Sequence, residues 1–350
     1  MPRPDVAVIG GGIVGCALAA FLAEGGARVV LHERAELAAG ASGRNSGVVQ
    51  HPMEAALVPL YEETVEHYRD LADDWGFPLP GLSCGVLMLA ADGEDLTSEL
   101  AALRATFPEL RPELLGRGEP HRLEPALAAH LAGLRLDTGR AVPPAAATQA
   151  FAARAKAAGA ELRTGSPAGL DVDADAVVVA AGPWTPEIVD PSGAWRPIVP
   201  LWGVNVEVRL PQPPVHAVEE AGIEALVARG GDVPPIFSLV TAGAVSSLGS
   251  TFLHDEPDPA ALAPRLVARG ARFVPAIATT PMASVRACAR PLSRDGLPLL
   301  GRAPGSEHVF VAAGHGPWGI SLGPASARLV ADLVLGRAPA IPAAFDPARF

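Results

Sequence analysis

Three glycines near the start, Gly10, Gly12 and Gly15, stand in "DVAVIGGGIVG" at the spacing of a phosphate-binding turn. Gly10 permits a tight bend, Gly12 lets a pyrophosphate come up to the backbone, and Gly15 lets the following helix pack close to the strand. Ile13 and Val14 open that helix, whose free N–H groups and positive end attract phosphate. A carboxylate suited to a ribose follows: Glu33, 18 positions after Gly15 (33 − 15), closes the apolar run "ARVVLHE". A ligand-free glycine loop has no need of strand, turn, helix and acidic strand end in that order. The chemistry is dinucleotide binding, and both NAD and FAD use this fingerprint.

A second group lies far along the chain, in "SVRACARPL" at 284–292. Read as a strand, period two puts Arg286, Cys288 and Arg290 on one face. An arginine held on a strand can grip a carboxylate through two parallel hydrogen bonds. The plainer alternative is an arginine in a structural ion pair. Two histidines, His51 in "VVQHP" and His315 in "GHGPWG", are candidates to accept a proton or orient a substrate. Packing in the core is the alternative for each.

These groups need a scaffold, and 350 residues with 49% hydrophobic content suffice for two domains. A net charge of −11 argues against a nucleic-acid partner. No apolar run reaches the ~18 residues of a membrane span, and the start runs directly into the first strand, so a cytoplasmic protein is expected. Cys16, Cys84 and Cys288 show no metal-ligand spacing and fit a reducing compartment. Only Lys156 among 27 basic residues is a lysine, and its surface-like helical setting removes Schiff-base chemistry. Strand–helix alternation marks both ends and the stretch near 145–190, while period-two alternation fills 80–135 and 197–283. A last helix is predicted from Pro324 to a stop at Gly336.

The fingerprint with Glu33-Arg34, then "GASGRNSG", "VVVAAGPW", "RPLSRDGLPLLG" and "GHGPWGISLGPASA", occur in the order found in the glycine oxidase, D-amino-acid oxidase and sarcosine oxidase superfamily, which the chain resembles over about half its length. The resemblance implies FAD, and an α/β fold: a Rossmann-like FAD-binding domain with an inserted, mostly antiparallel α+β substrate domain. The corresponding division is 1–80, 139–196 and 284–350 for FAD, and 81–138 and 197–283 for substrate. It implies cofactor contacts at Arg34, at Ser42, Gly43, Asn45, Ser46 and Gly47, and at Gly182 and Trp184. Gly314, Gly316, Gly319 and Ile320 would bring backbone N–H groups to the ring, where they stabilise the charge of the reduced state. Arg290 matches the carboxylate-binding arginine of glycine oxidases. Cys288 falls where sarcosine oxidases carry a cysteine joined to FAD, but Trp318 stands where their lysine is expected, so non-covalent binding is the expectation. Both tyrosines, Tyr61 and Tyr68, lie in one early helix, leaving Trp202 or Phe237 to cover the substrate.

The expected function is oxidation of a C–N bond in a small amino acid or amine bearing a carboxylate, with oxygen or another electron acceptor. A 2-hydroxy acid is the rival substrate, and a non-catalytic flavin-binding redox subunit the rival outside enzymes. No metal is expected.

Overall fold

The computed structural model describes residues 5–90, 95–223, 231–233, 235–337 and 341–350. A six-stranded sheet carries, side by side, Leu299–Arg302, Val309–Ala313, Ala176–Val179, Asp5–Ile9, Arg28–His32 and Glu161–Arg163. Its neighbours run parallel except for the first two, which pair antiparallel. The apolar run of Asp5–Ile9 is what a central parallel strand needs, since both faces are covered, one by helices and the other by the segment 168–174 and the short helix Thr185–Val189. The helix Ile13–Glu24 is buried at every position but its last. It is rich in alanine because the helices Ala146–Ala157 and Gly319–Val334 pack against it.

An eight-stranded sheet runs Met282–Ser293, Ile198–Val208, Val245–Gly249, Ser238–Ala242, Ala217–Glu220, Val86–Ala90, Ala132–Leu136, Glu113–Leu115. It is antiparallel apart from the parallel pair Ala217–Glu220 and Val86–Ala90. The strand Met282–Ser293, whose residues from 284 onward the sequence division grouped with the nucleotide-binding segments, pairs along its length with Ile198–Val208 and forms the edge of the eight-stranded sheet.

The last helix also differs from its sequence reading. It begins at Gly319, so Pro324 lies inside it. Proline has no N–H to give the Ile320 carbonyl one turn back. That carbonyl instead accepts a 2.5 Å hydrogen bond from the buried Tyr68 hydroxyl, and Thr64 Oγ1 accepts the next N–H, from Ala325, at 3.2 Å. Both partners stand on the helix Val58–Trp75. Among the described residues no helix is long and apolar enough to cross a membrane.

Candidate active site

The first strand ends in Gly10, whose φ of +115° is left-handed; a methyl there would run into the Ala180 carbonyl, with its carbon at 2.8 Å. Gly12 caps the helix Ile13–Glu24 without a side chain of its own. Ser42 Oγ reaches over to accept the Ile13 N–H at 2.9 Å. Glu33 is fixed by two backbone donors, the Gly11 N–H on Oε2 at 2.7 Å and the Ala35 N–H on Oε1 at 2.8 Å. A carboxylate has capacity left after those two bonds, which suits ribose hydroxyls. Beside it the Arg34 guanidinium lies 3.9 Å above the Trp184 ring.

One cavity of about 1360 Å³ joins Gly10, Gly12, Ile13, Val14, Glu33, Arg34, Gly182 and Trp184 to Ser42, Asn45 and Ser46, and onward to Gly316, Gly319 and Ile320, Cys288, Arg290 and His315. A side-chain-free helix start, a braced ribose carboxylate and a continuous path to the arginine strand fit an FAD molecule laid along it.

At the far end the strand Met282–Ser293 behaves by period two as read, but its arginines divide. Arg286 donates to Glu207 Oε1 at 2.6 Å and to Ser247 Oγ at 2.7 Å, so it is a structural ion pair. Arg290 has no carboxylate within ion-pair distance among the described residues. Its Nη1 donates to the Thr251 carbonyl at 2.9 Å, its Nη2 to Ser250 Oγ at 2.7 Å, and its guanidinium lies 4.5 Å above the Phe252 ring. Burial lowers its pKa, yet a guanidinium stays charged at neutral pH. Gly203 makes room for this: a methyl on it would sit 2.5 Å from Arg290 Cζ.

His315 is buried, its Nε2 has no hydrogen-bond partner, and burial pushes its pKa down to about 4. It is therefore neutral in the cavity wall. Cys288 lines the cavity as a buried free thiol whose pKa is raised by burial, against the opposing pull of Arg290, Arg44 and Arg286.

Several sequence candidates stand off the cavity. His51 is packed between Tyr61 and Phe107, 5.2 Å from each ring, and faces Glu109 at 3.6 Å. Its backbone N–H donates to Thr138 Oγ1 at 2.9 Å, and the residue does not border the cavity. Gly15, Gly43, Gly47 and Gly314 are absent from that wall too; added methyls would meet Gly10, Ala38, Val142 and Leu299, so they serve close packing beneath the site. Asn45 borders the cavity but spends its amide on its own loop, donating to Ala41 and Ser42 and accepting from Gly47. Phe237 is in the core, stacked 4.3 Å from Phe273, whereas Trp202 does border the cavity. Gly203, Ser250 and Phe252 were missed. The one available signal was a glycine inside an alternating strand, "IVPLWGVNVEV", which marks close approach of another group.

The profile of the family described as FAD dependent oxidoreductase matches residues 5–333. A glycine oxidase of Geobacillus kaustophilus (strain HTA426) is 31% identical over 362 residues, covering 95% of this chain and 93% of that protein. A crystal structure of glycine oxidase from Geobacillus kaustophilus superposes with a TM-score of 0.82 at 28% identity, over 99% of both chains. The fold is shared as well by an iminodiacetate oxidase from Chelativorans sp. BNC1, with a TM-score of 0.81 at 23% identity and 98% coverage of each chain.

Proposed function

We propose, from the premise that this chain belongs to the FAD dependent oxidoreductase family, that it oxidises a C–N bond of a small amino acid or amine bearing a carboxylate. The observation that carries this is Arg290: a cation in the cavity wall, oriented by Ser250 and Thr251 and unmatched by any carboxylate among the described residues. Such a group is completed by a ligand anion, through a charge-assisted bond made in a water-poor place. The similarity to a glycine oxidase supports an amino-acid substrate.

Bound FAD supplies the hydride acceptor. The Gly10–Gly12 turn, Glu33 and the backbone at 316–320 would hold it, without a bond to Cys288, a buried free thiol whose pKa burial raises. On this reading the six-stranded sheet and its helices serve the cofactor, and the eight-stranded sheet presents the substrate. Arg290 fixes the carboxylate and so sets which substrate carbon faces the ring. The substrate amine must arrive as the free base, since an ammonium has no lone pair to stabilise the forming iminium.

A second reading, a 2-hydroxy acid, is favoured by one observation: the neutral His315 borders the cavity, and its buried Nε2 has no hydrogen-bond partner that would occupy it. One experiment separates the two. The purified holoenzyme is mixed without oxygen with amino acids, N-methyl amines and 2-hydroxy acids, and loss of flavin absorbance is followed. Bleaching by the amines and amino acids is expected. Bleaching by hydroxy acids alone replaces this reading with the second, and bleaching only by amines lacking a carboxylate removes Arg290 from its role.

A further inference from the structure

We propose that the substrate carries an apolar side chain, received by Ile223, Ile236, Phe252 and Leu292 while Arg290 holds its carboxylate. This rests on the carboxylate reading above and adds the chemistry of the substituent. Phe252 lies under the Arg290 guanidinium at 4.5 Å. Ile236 exchanges two backbone hydrogen bonds with Ser250, the residue whose hydroxyl orients Arg290, each at 3.0 Å. Leu292 stands two positions beyond Arg290 on the same strand and is bridged to His315. Ile236 and Phe252 belong to one apolar cluster, with Ile223 and Leu292 partly buried against it, and all four border the cavity.

The polar groups of this sheet lie elsewhere. Asn205, Ser238 and Glu219 occupy the register row of Arg286, through the pairs Asn205–Arg286, Asn205–Gly249, Ser238–Gly249 and Glu219–Ser238. Beyond the Ser250 hydroxyl and Thr251 carbonyl that already bond Arg290, the anchor for the carboxylate is thus flanked by the hydrocarbon of Phe252, Ile236 and Leu292. A substrate without a side chain leaves that hydrocarbon facing water, and one with an alkyl group covers it. Discrimination by a single methylene in such a pocket is about tenfold or more.

The test measures binding and turnover separately. Acetate and isocaproate are titrated into the holoenzyme by calorimetry, and glycine and leucine are compared in anaerobic flavin reduction. Isocaproate is expected to bind at least about tenfold tighter than acetate, and leucine to reduce the flavin at lower concentration than glycine. Ile236→Ala should narrow the isocaproate-to-acetate ratio by severalfold. Acetate binding as tightly as isocaproate, with both weakened by Arg290→Ala, overturns the apolar proposal and leaves the carboxylate reading standing. Binding of both that is indifferent to Arg290→Ala overturns the carboxylate reading, and this proposal with it.

Discussion

Gly203→Ala tests the placement of Arg290 without touching its charge. A methyl on Gly203 would lie 2.5 Å from Arg290 Cζ and closer still to Nη2, where ordinary contact begins at 3.4 Å, so the guanidinium must retreat by at least about 0.9 Å (3.4 − 2.5). That retreat stretches hydrogen bonds now at 2.9 Å to Thr251 and 2.7 Å to Ser250 beyond useful length. Each such bond contributes about 0.5–1.5 kcal/mol, so losing the orientation they provide should cost about 1.5 kcal/mol of carboxylate binding, roughly tenfold in Kd. Calorimetric titration of carboxylates into the FAD-loaded variant reads this directly, with FAD content unchanged because Gly203 is remote from the glycine turn. The decisive comparison is a cycle with Arg290→Ala. If Gly203 acts only by seating Arg290, Gly203→Ala adds nothing in the Arg290→Ala background. An equal tenfold loss in both backgrounds, or wild-type affinity in the single variant, refutes the reasoning.

Acid precipitation of the yellow protein should release FAD into the supernatant, and Cys288→Ser should retain the cofactor; colour remaining with the pellet would establish a covalent link. His315, held neutral with a pKa near 4 against an ordinary 6.5, binds its proton less readily folded than unfolded. Its contribution is therefore complete above pH 6.5 and lost as pH falls towards 4, up to about 3 kcal/mol. Denaturant midpoints at pH 8 and pH ~5 should diverge less in His315→Gln than in the wild type. Tyr68→Phe leaves the Ile320 carbonyl without a donor in a buried place and should cost about 1–3 kcal/mol, seen as a lower denaturant midpoint with wild-type far-ultraviolet dichroism.

The nucleotide end was legible because its determinants are local. Glycine spacing, a buried strand and an acidic strand end are consecutive facts of one unit, and the structure assembles them as read. The strand at 284–292 was legible for the same reason, including its shared face. What that face does was decided by other strands: Glu207 neutralises Arg286 and Ser247 accepts from it, while Gly203 and Ser250 seat Arg290. No periodicity within one strand announces its neighbours. His51 misled because a polar residue in a glycine-rich region resembles a site residue until Tyr61 and Phe107 are seen around it. Pro324 misled because proline favours a helix start, and its tolerance inside this helix depends on a tyrosine 256 positions earlier (324 − 68).

That bond between Tyr68 and the last helix sets an order of events during synthesis. At roughly 5–20 residues per second, on the order of tens of seconds separate the emergence of the glycine turn from that of Gly319–Val334. Throughout that interval the early helices carry an uncovered apolar flank, and the Tyr68 and Thr64 hydroxyls await partners that do not yet exist. The strand Val309–Ala313 is likewise missing from beside Ala176–Val179. The nascent protein can form its phosphate turn early but cannot close the ring end of the cavity until Gly319–Val334 has emerged. The ring end of the cavity is thus assembled from the strand Val309–Ala313 and the helix Gly319–Val334, which come last among the elements that line it.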